Sequence, residues 1–425
     1  MTGGDLSFLG VAHAIGVRLC RDAVWDGDRC NWLGAATEPV GGRWTAVHRS
    51  FGPDLYAGTS GIACFLGRLY QATGDRIVRQ TAEGAIRQAL SRLEDVAPEQ
   101  RVGLFTGHAG IAWALVEMAE ACGEETYLDR GLQILERLGD LDFAAQPLDL
   151  MTGCAGAILA LLAVHHRYPR TAFPEIARRL GERLLAAARP REHGWSWTTL
   201  GGEPWQRDDL TGFSHGTAGI ACALLELHRA VGDGRFLTAA ENAFAYERHW
   251  YDPERENWPD LRRSEAFGMA PAAAGDGEPP LVYALHWCHG APGSGLAHLR
   301  AWQLRGDERY REAAGAALRT TWRDLTDPGG TSGFSLCHGR AGNAELLLQA
   351  ARALGDEGYK ACADHVGRLG AETYEQHGFA WPGGTLGGGE SPGLMLGSAG
   401  IGHFFLRLHD PAATPPVLIL IPERG

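Results

Sequence analysis

The stretch Gly58-Thr-Ser-Gly-Ile-Ala-Cys-Phe-Leu-Gly-Arg-Leu-Tyr-Gln-Ala-Thr-Gly-Asp75 contains the unit from which the fold can be predicted. It opens with a G-x-x-G turn, continues with an apolar run, and ends with a glycine followed by an acid. Glycine is favoured just after the end of a helix, and an acid is favoured at the start of the next one. The stretch therefore predicts a helix, a tight turn and the beginning of a second helix.

The G-x-x-G turn recurs along the whole chain, and its seven copies contribute 14 of the 59 glycines among the 425 residues. In five of the repeats, a glycine and an acid stand 16 and 17 residues after the first glycine. Such a regular recurrence predicts a helical repeat protein. The first glycines of the seven turns are Gly58, Gly107, Gly153, Gly216, Gly290, Gly339 and Gly397.

The two ends of the chain predict that the repeats close into a ring. A helical run at about residues 9–23 precedes the first turn, and the run Ile401 to Leu408 after the last turn has no outer partner. Pairing these runs gives an all-α toroid of seven inner and seven outer helices, which needs no capping repeats. We expect one domain over residues 1–425, with helix 9–23 closing the ring and a tail at about 410–425. The long segments 192–211, 250–286 and 381–392 are lid candidates.

Composition and net charge indicate which partners and which cellular location to expect. The formal net charge is −12, whereas proteins that neutralise nucleic-acid phosphates are usually basic, so a nucleic-acid partner is not expected. The N-terminus lacks the basic region of a secretory signal, and no apolar run approaches the length of a membrane span. Nine scattered cysteines without such a signal indicate reduced thiols. We therefore expect a cytoplasmic protein without a transmembrane segment.

Histidines and cysteines stand at equivalent positions just before the glycine turns. Because every inner helix starts at its turn, these residues are expected to meet at one mouth of the barrel. Asp149, four positions before the glycine of repeat three, belongs to the same end. Histidine directly precedes the glycine in repeats four to six, and cysteine stands one position earlier in repeats five and six: His215, His289, His338, Cys288 and Cys337.

Two thiols and an imidazole in neighbouring repeats are typical of a zinc site. Two cysteines and one histidine leave the fourth tetrahedral position open, which is the catalytic pattern. Adjacent side chains at a turn diverge, so we expect three ligands and not four. The alternative is that these are small buried residues under tight turns. His215 has no neighbouring cysteine, which makes it a candidate acid/base group.

Four motifs resemble the LanC-like lanthionine synthetase family, and the resemblance extends from Leu55 to Gly402. The paired Cys-His-Gly turns are its most specific feature. The motifs are Ser214-His-Gly-Thr-Ala-Gly219, Trp287-Cys-His-Gly-Ala-Pro-Gly293, Cys337-His-Gly-Arg-Ala-Gly342 and Gly393-Leu-Met-Leu-Gly-Ser-Ala-Gly-Ile-Gly402.

The resemblance implies a zinc ion held by Cys288, Cys337 and His338, with His215 and Asp149 acting near it. It also implies the reaction: Michael addition of a peptide cysteine thiol to dehydroalanine or dehydrobutyrine, which forms (methyl)lanthionine rings in lanthipeptide antibiotics. Zinc would favour the thiolate, His215 would protonate the resulting enolate, and Asp149 would hold that imidazole protonated. The chain has no room for a dehydratase, kinase or lyase domain, so the partner would be a precursor peptide dehydrated by separate enzymes.

The sequence departs from the family pattern at two positions. Ala284 stands where some members carry an arginine four residues before the first zinc cysteine, and His289 stands where a tyrosine often follows it. His289 is therefore a further candidate to assist enolate protonation.

Three other functions remain open from the sequence. A related enzyme could add glutathione or another small thiol to dehydrated residues. A non-catalytic peptide-binding scaffold could keep zinc for stability. A glycoside-active α/α barrel is less favoured, because such enzymes use paired carboxylates and the aligned mouth positions carry only one acid.

Overall fold

The computed structural model describes residues 6–40, 43–201, 206–263, 280–387 and 389–422. These ranges contain fourteen α-helices, which alternate between an inner and an outer layer. Their bounds are α1 Phe8–Asp22, α2 Thr59–Thr73, α3 Arg76–Ser91, α4 His108–Cys122, α5 Glu125–Arg137, α6 Cys154–Arg167, α7 Ala172–Ala187, α8 Thr217–Val231, α9 Gly234–Trp250, α10 Ala291–Arg305, α11 Glu308–Thr326, α12 Arg340–Leu354, α13 Glu357–Gly370 and α14 Ser398–His409.

The inner helices form a closed ring. The even-numbered helices α2 to α14 pack side by side in chain order, and α14 packs against α2. Each inner helix from α2 to α12 packs against the outer helix that follows it, whereas α14 pairs with α1 from the start of the chain. The predicted toroid of seven inner and seven outer helices is therefore confirmed, and α1 with α14 is one of its seven pairs. None of the described helices combines the length and hydrophobicity that a membrane-spanning segment requires.

The structure adds three small antiparallel hairpins that the repeat pattern did not predict. They are β1 Val24–Asp26 with β2 Arg29–Asn31, β3 Leu33–Val40 with β4 Arg43–Ser50, and β5 Arg189–Arg191 with β6 Gly194–Ser196. All three lie in connections between helices. Within the three segments expected as lids, residues 202–205, 264–279 and 388 fall outside the described residues.

The predicted helix ends correspond to observed caps. The glycines that follow the inner helices of five repeats are left-handed, with φ between 65° and 73°. In four of these repeats the aspartate after that glycine accepts a backbone N–H bond from the next helix, as Asp75 does from Ile77. Glu124 holds the equivalent position without such a bond.

A closed circuit of backbone hydrogen bonds joins the seven turns; we call it the turn ring. Each residue two positions before a first glycine donates its N–H to the carbonyl of its counterpart in the next repeat, over 2.8–3.3 Å. The last member donates to the first, which closes the circuit. In order, the members are Tyr56, Phe105, Met151, Ser214, Cys288, Cys337 and Met395.

The second glycine of each turn is required by a close backbone approach. A Cβ atom on Gly342 would stand 1.8 Å from the carbonyl oxygen of Leu336, six residues earlier. The same contact recurs in all seven repeats at 1.8–2.2 Å, for example between Gly61 and Leu55. Because the obstructing atom is backbone, a side chain here would push the helix start away from the turn ring.

Two Gly→Ala substitutions within helices should therefore have opposite effects on the free energy of unfolding. Gly342→Ala should lower the free energy of unfolding by about 2 kcal/mol or more, because its Cβ overlaps a buried carbonyl. Gly315→Ala, in α11 with no atom nearer than 3.5 Å, should raise it by about 0.5–1 kcal/mol through helix propensity. Urea denaturation of both variants measures the difference, and equal effects would contradict the packing argument.

Candidate metal centre

Cys288, Cys337 and His338 come together at the mouth of the ring. Their ligand atoms all lie within 4.8 Å of one another. Both cysteines are buried and belong to the turn ring, since the N–H of Cys288 donates to the carbonyl of Cys337 at 3.3 Å. A backbone contact thus holds together two thiols that are 49 positions apart in the sequence.

The surroundings of His338 fit a metal ligand. Its Nε2–H donates to the carbonyl oxygen of Gly384 at 3.0 Å, which leaves Nδ1 for a metal. A Cβ on Gly384 would lie 2.6 Å from that Nε2, so glycine makes room for the ring. Two sulfur donors and one nitrogen donor match zinc, with a fourth position open for a substrate.

The two thiols are coupled to each other and to Tyr56. The hydrogen bond between them, together with burial, raises the pKa of Cys288 well above its ordinary value. The same bond lowers the pKa of Cys337, which also accepts a hydrogen bond from the Tyr56 hydroxyl. The pKa values of the two thiols therefore shift in opposite directions, and their sulfurs are close enough to share a metal.

His215 and Asp149 form an oriented pair at the same mouth. Nδ1–H of His215 donates to Oδ2 of Asp149 at 2.7 Å, and Asp149 is 1% exposed. The other oxygen of Asp149 accepts the N–H of Thr152 at 2.6 Å and its hydroxyl at 3.0 Å. These bonds fix the carboxylate, and the carboxylate fixes the imidazole with Nε2 available for proton transfer.

His289 lies behind this pair and is buried. Its ring centroid is 6.3 Å from that of His215, and 1% of its side chain is exposed. Burial, helped by the charge of Arg262, lowers the pKa of His289 to about 3, so the ring is neutral at pH 7. Within the described part of the chain, neither ring nitrogen has a hydrogen-bond partner.

The structure also places Tyr56, Asp260, Arg262 and His286 at the centre, which the sequence analysis missed. Arg262 donates to both oxygens of Asp260 at 2.6–3.1 Å, and its charge acts on both ligand thiols. Burial would raise the pKa of Asp260, but His289 and Arg262 outweigh it and the pKa is lowered. The ring of His286 contacts that of His338, with centroids 5.7 Å apart.

Two of these four residues could have been identified from their positions in the sequence repeats. Tyr56 stands in the register of Cys288 and Cys337, and His286 stands in the register of Asp149. Asp260 and Arg262 come from the irregular connection between α9 and α10, where no repeat register applies.

A buried carboxyl supports the turn that carries His215. Oε1 of Glu247 accepts the N–H of Gly212 at 3.1 Å, and Gly212 has φ +96°. Burial raises the pKa of Glu247 to about 8. The folded protein therefore keeps this carboxyl protonated at neutral pH.

Glu247 should make the protein less stable as the pH rises. The folded state binds the proton more tightly than the unfolded state, so stability falls between the unfolded pKa near 4.5 and about pH 8. Glu247→Gln keeps the shape without the titration. Its Tm should fall less than that of the wild type between pH 5.5 and pH 8.5, and parallel Tm profiles would contradict this assignment.

The chain is similar to known proteins in sequence. Residues 49–419 match the family model described as lanthionine synthetase C-like protein, and this span contains every residue of the candidate centre. The glutathione S-transferase LANCL1 of Danio rerio is 26% identical over 280 residues, which are 63% of each chain. This chain therefore spans less than two thirds of the length of that relative.

Solved structures show the same fold. Nisin cyclase superposes with a TM-score of 0.64 at 16% identity, covering 86% of this chain and 91% of that one. A family 76 glycoside hydrolase from a bovine Bacteroides thetaiotaomicron strain gives a TM-score of 0.51 at 9% identity, covering 95% of this chain and 77% of that one. At these identities the likeness concerns the toroid alone.

Proposed function

Since the chain belongs to the lanthionine synthetase C-like family, we propose that it is a zinc-dependent lanthipeptide cyclase. It would add cysteine thiols of a precursor peptide to dehydroalanine or dehydrobutyrine residues of the same peptide. The observation that carries this proposal is the juxtaposition of a three-ligand Cys-Cys-His cluster with an oriented His-Asp pair at one mouth.

In this proposal Cys288, Cys337 and His338 hold the metal, and the turn ring and Gly384 keep their side chains convergent. A zinc ion bound there would lower the pKa of a substrate thiol and keep it as a nucleophilic thiolate at neutral pH. The three ligands leave one tetrahedral position for that thiol.

The proton would come from His215. When the thiolate adds to the dehydroamino acid, the acceptor becomes an enolate that takes up one proton at its α-carbon. His215 would supply this proton from Nε2, while its Nδ1–H stays bonded to Asp149. Asp149 would keep the ring oriented through this bond.

Neighbouring residues would assist this step. Arg262 is a cation beside the two sulfurs, so it can supply the positive charge that Ala284 cannot. His289, which we retain as a candidate catalytic residue, is neutral and would form the wall behind His215. Asp260, whose side chain is 12% exposed, holds Arg262 in place through two oxygens.

Addition of glutathione or another small thiol is a second candidate function. The match to a relative named glutathione S-transferase favours it. The same metal centre and proton donor would serve this reaction, because only the source of the thiol differs. A non-catalytic zinc-stabilised scaffold would have no need of the His215–Asp149 pair, which speaks against that alternative.

The proposed partners follow from the chemistry. The substrate would be a precursor peptide that separate enzymes have already dehydrated. A cytoplasmic location, where thiols stay reduced, would suit a site that depends on two free cysteines.

Metal binding and proton transfer should separate by mutation. Cys288→Ala and Cys337→Ala should lose zinc, and His338→Ala should bind it more weakly, with activity partly restored by excess zinc. His215→Asn should keep about one zinc per chain but lose roughly 10²–10⁴-fold in rate. Metal analysis and rate measurements test this division, and loss of zinc in His215→Asn would make His215 a ligand.

The two candidate reactions can be distinguished by mass spectrometry. A dehydrated peptide containing cysteine is incubated with the protein, with and without glutathione, and is then treated with an alkylating reagent. A cyclase should protect peptide cysteines from alkylation without adding mass. A glutathione adduct would favour the second function. Zinc-loaded protein that neither protects the peptide cysteines nor forms an adduct would contradict both.

A further inference from the structure

The C-terminal segment, residues 410–422, turns back into the ring of inner helices. The carbonyl oxygens of Pro411 and Thr414 each accept a bond from the Arg407 guanidinium of α14 at 2.7 Å. Nε2–H of His403 donates to the carbonyl oxygen of Pro415 at 3.2 Å. These bonds attach the first part of the segment to the inner face of α14.

The next residues of the segment are buried in the hydrophobic core. Val417, Leu418, Ile419 and Leu420 are between 2% and 6% exposed. At Pro422, the carbonyl oxygen accepts a bond from Arg229, in the last turn of α8, at 2.7 Å. The segment thus enters and leaves near the C-terminal ends of the inner helices, opposite the candidate metal centre.

The innermost contact of the segment is with Trp287. The indole N–H of Trp287 donates to the carbonyl oxygen of Leu418 at 3.0 Å. The indole is fully buried and packs edge-on against Phe105 and Phe213, with ring centroids 5.4 and 6.0 Å away. Its orientation is therefore fixed by two rings and one hydrogen bond from the far side of the barrel.

Trp287 directly precedes the first candidate ligand, Cys288. The backbone of Cys288 is held in the turn ring on both sides, because its N–H donates to Cys337 and its carbonyl accepts from Ser214. Trp287 and Cys288 share one peptide unit, so the contacts that fix the indole also restrict the backbone from which the Cys288 side chain projects.

We propose that the C-terminal segment and Trp287 together position Cys288 for metal binding. This inference rests on the proposed metal centre. The carbonyl oxygen of Leu418 fixes the indole of Trp287, and the fixed indole restrains the backbone next to Cys288. Trp287 is a positioning residue in this scheme, because it acts on the metal only through Cys288. Outer contacts of this kind typically change metal affinity by 10–100-fold.

Trp287→Phe removes the indole N–H and keeps a ring in the core. It should weaken zinc binding, measured by competition with a chelator, by about 10-fold or more. It should also shift the thiolate-to-metal absorption band of the cobalt-substituted protein. Trp32→Phe is the matched control, because Trp32 is 2% exposed and its indole donates to the carbonyl oxygen of Leu19 at 2.8 Å. It should lower the Tm without changing zinc affinity or the cobalt band.

Leu418→Ala loosens the acceptor side of the same contact. It should weaken zinc binding as well. The double variant with Trp287→Phe should bind zinc no more weakly than the single variant that has the lower zinc affinity. Wild-type zinc affinity in Trp287→Phe, or full additivity in the double variant, would overturn the inference while leaving the metal centre intact. Failure of the wild type to bind zinc would instead overturn the proposed function.

Discussion

The turn ring is the constraint on which the rest of this structure depends. Each buried N–H and carbonyl at these seven positions needs a partner, and each finds it in the neighbouring repeat. An open solenoid would leave one donor and one acceptor unpaired at its two ends. Closure of the inner helices and pairing of α1 with α14 satisfy all seven positions at once.

The same ring explains how distant residues form one site. Side chains at equivalent positions of successive repeats become neighbours around the mouth, so the candidate ligands of repeats five and six lie next to His215 of repeat four. A pair of opposite charges, Arg262 and Asp260, lies beside the two cysteines. The two sulfurs interact electrostatically with Arg262, which in turn is held by Asp260. The result is a largely buried polar cluster at the mouth of the ring.

The fold could be predicted from the sequence because its rule is local and repeated. Paired glycines mark the close backbone approach, and the later glycine and aspartate mark the caps between helices. The repeat register also predicted that Cys288, Cys337 and His338 lie at one mouth with His215 and Asp149. The same register contains Tyr56, which could have been predicted in the same way. Asp260 and Arg262 could not be predicted, since an irregular connection between helices carries them. The role of residues 417–420 could not be predicted either, because a short apolar run does not show which cavity it fills.

X-ray absorption at the zinc edge of the purified protein tests the central claim most directly. The account predicts two sulfur ligands at about 2.3 Å and one imidazole nitrogen at about 2.0 Å, with a fourth ligand that is oxygen or nitrogen in the absence of substrate. Addition of a cysteine-containing peptide without dehydrated residues, whose thiol cannot react further, should raise the sulfur count to three. A shell with fewer than two sulfurs, or one that does not change when the peptide thiol is added, would contradict it.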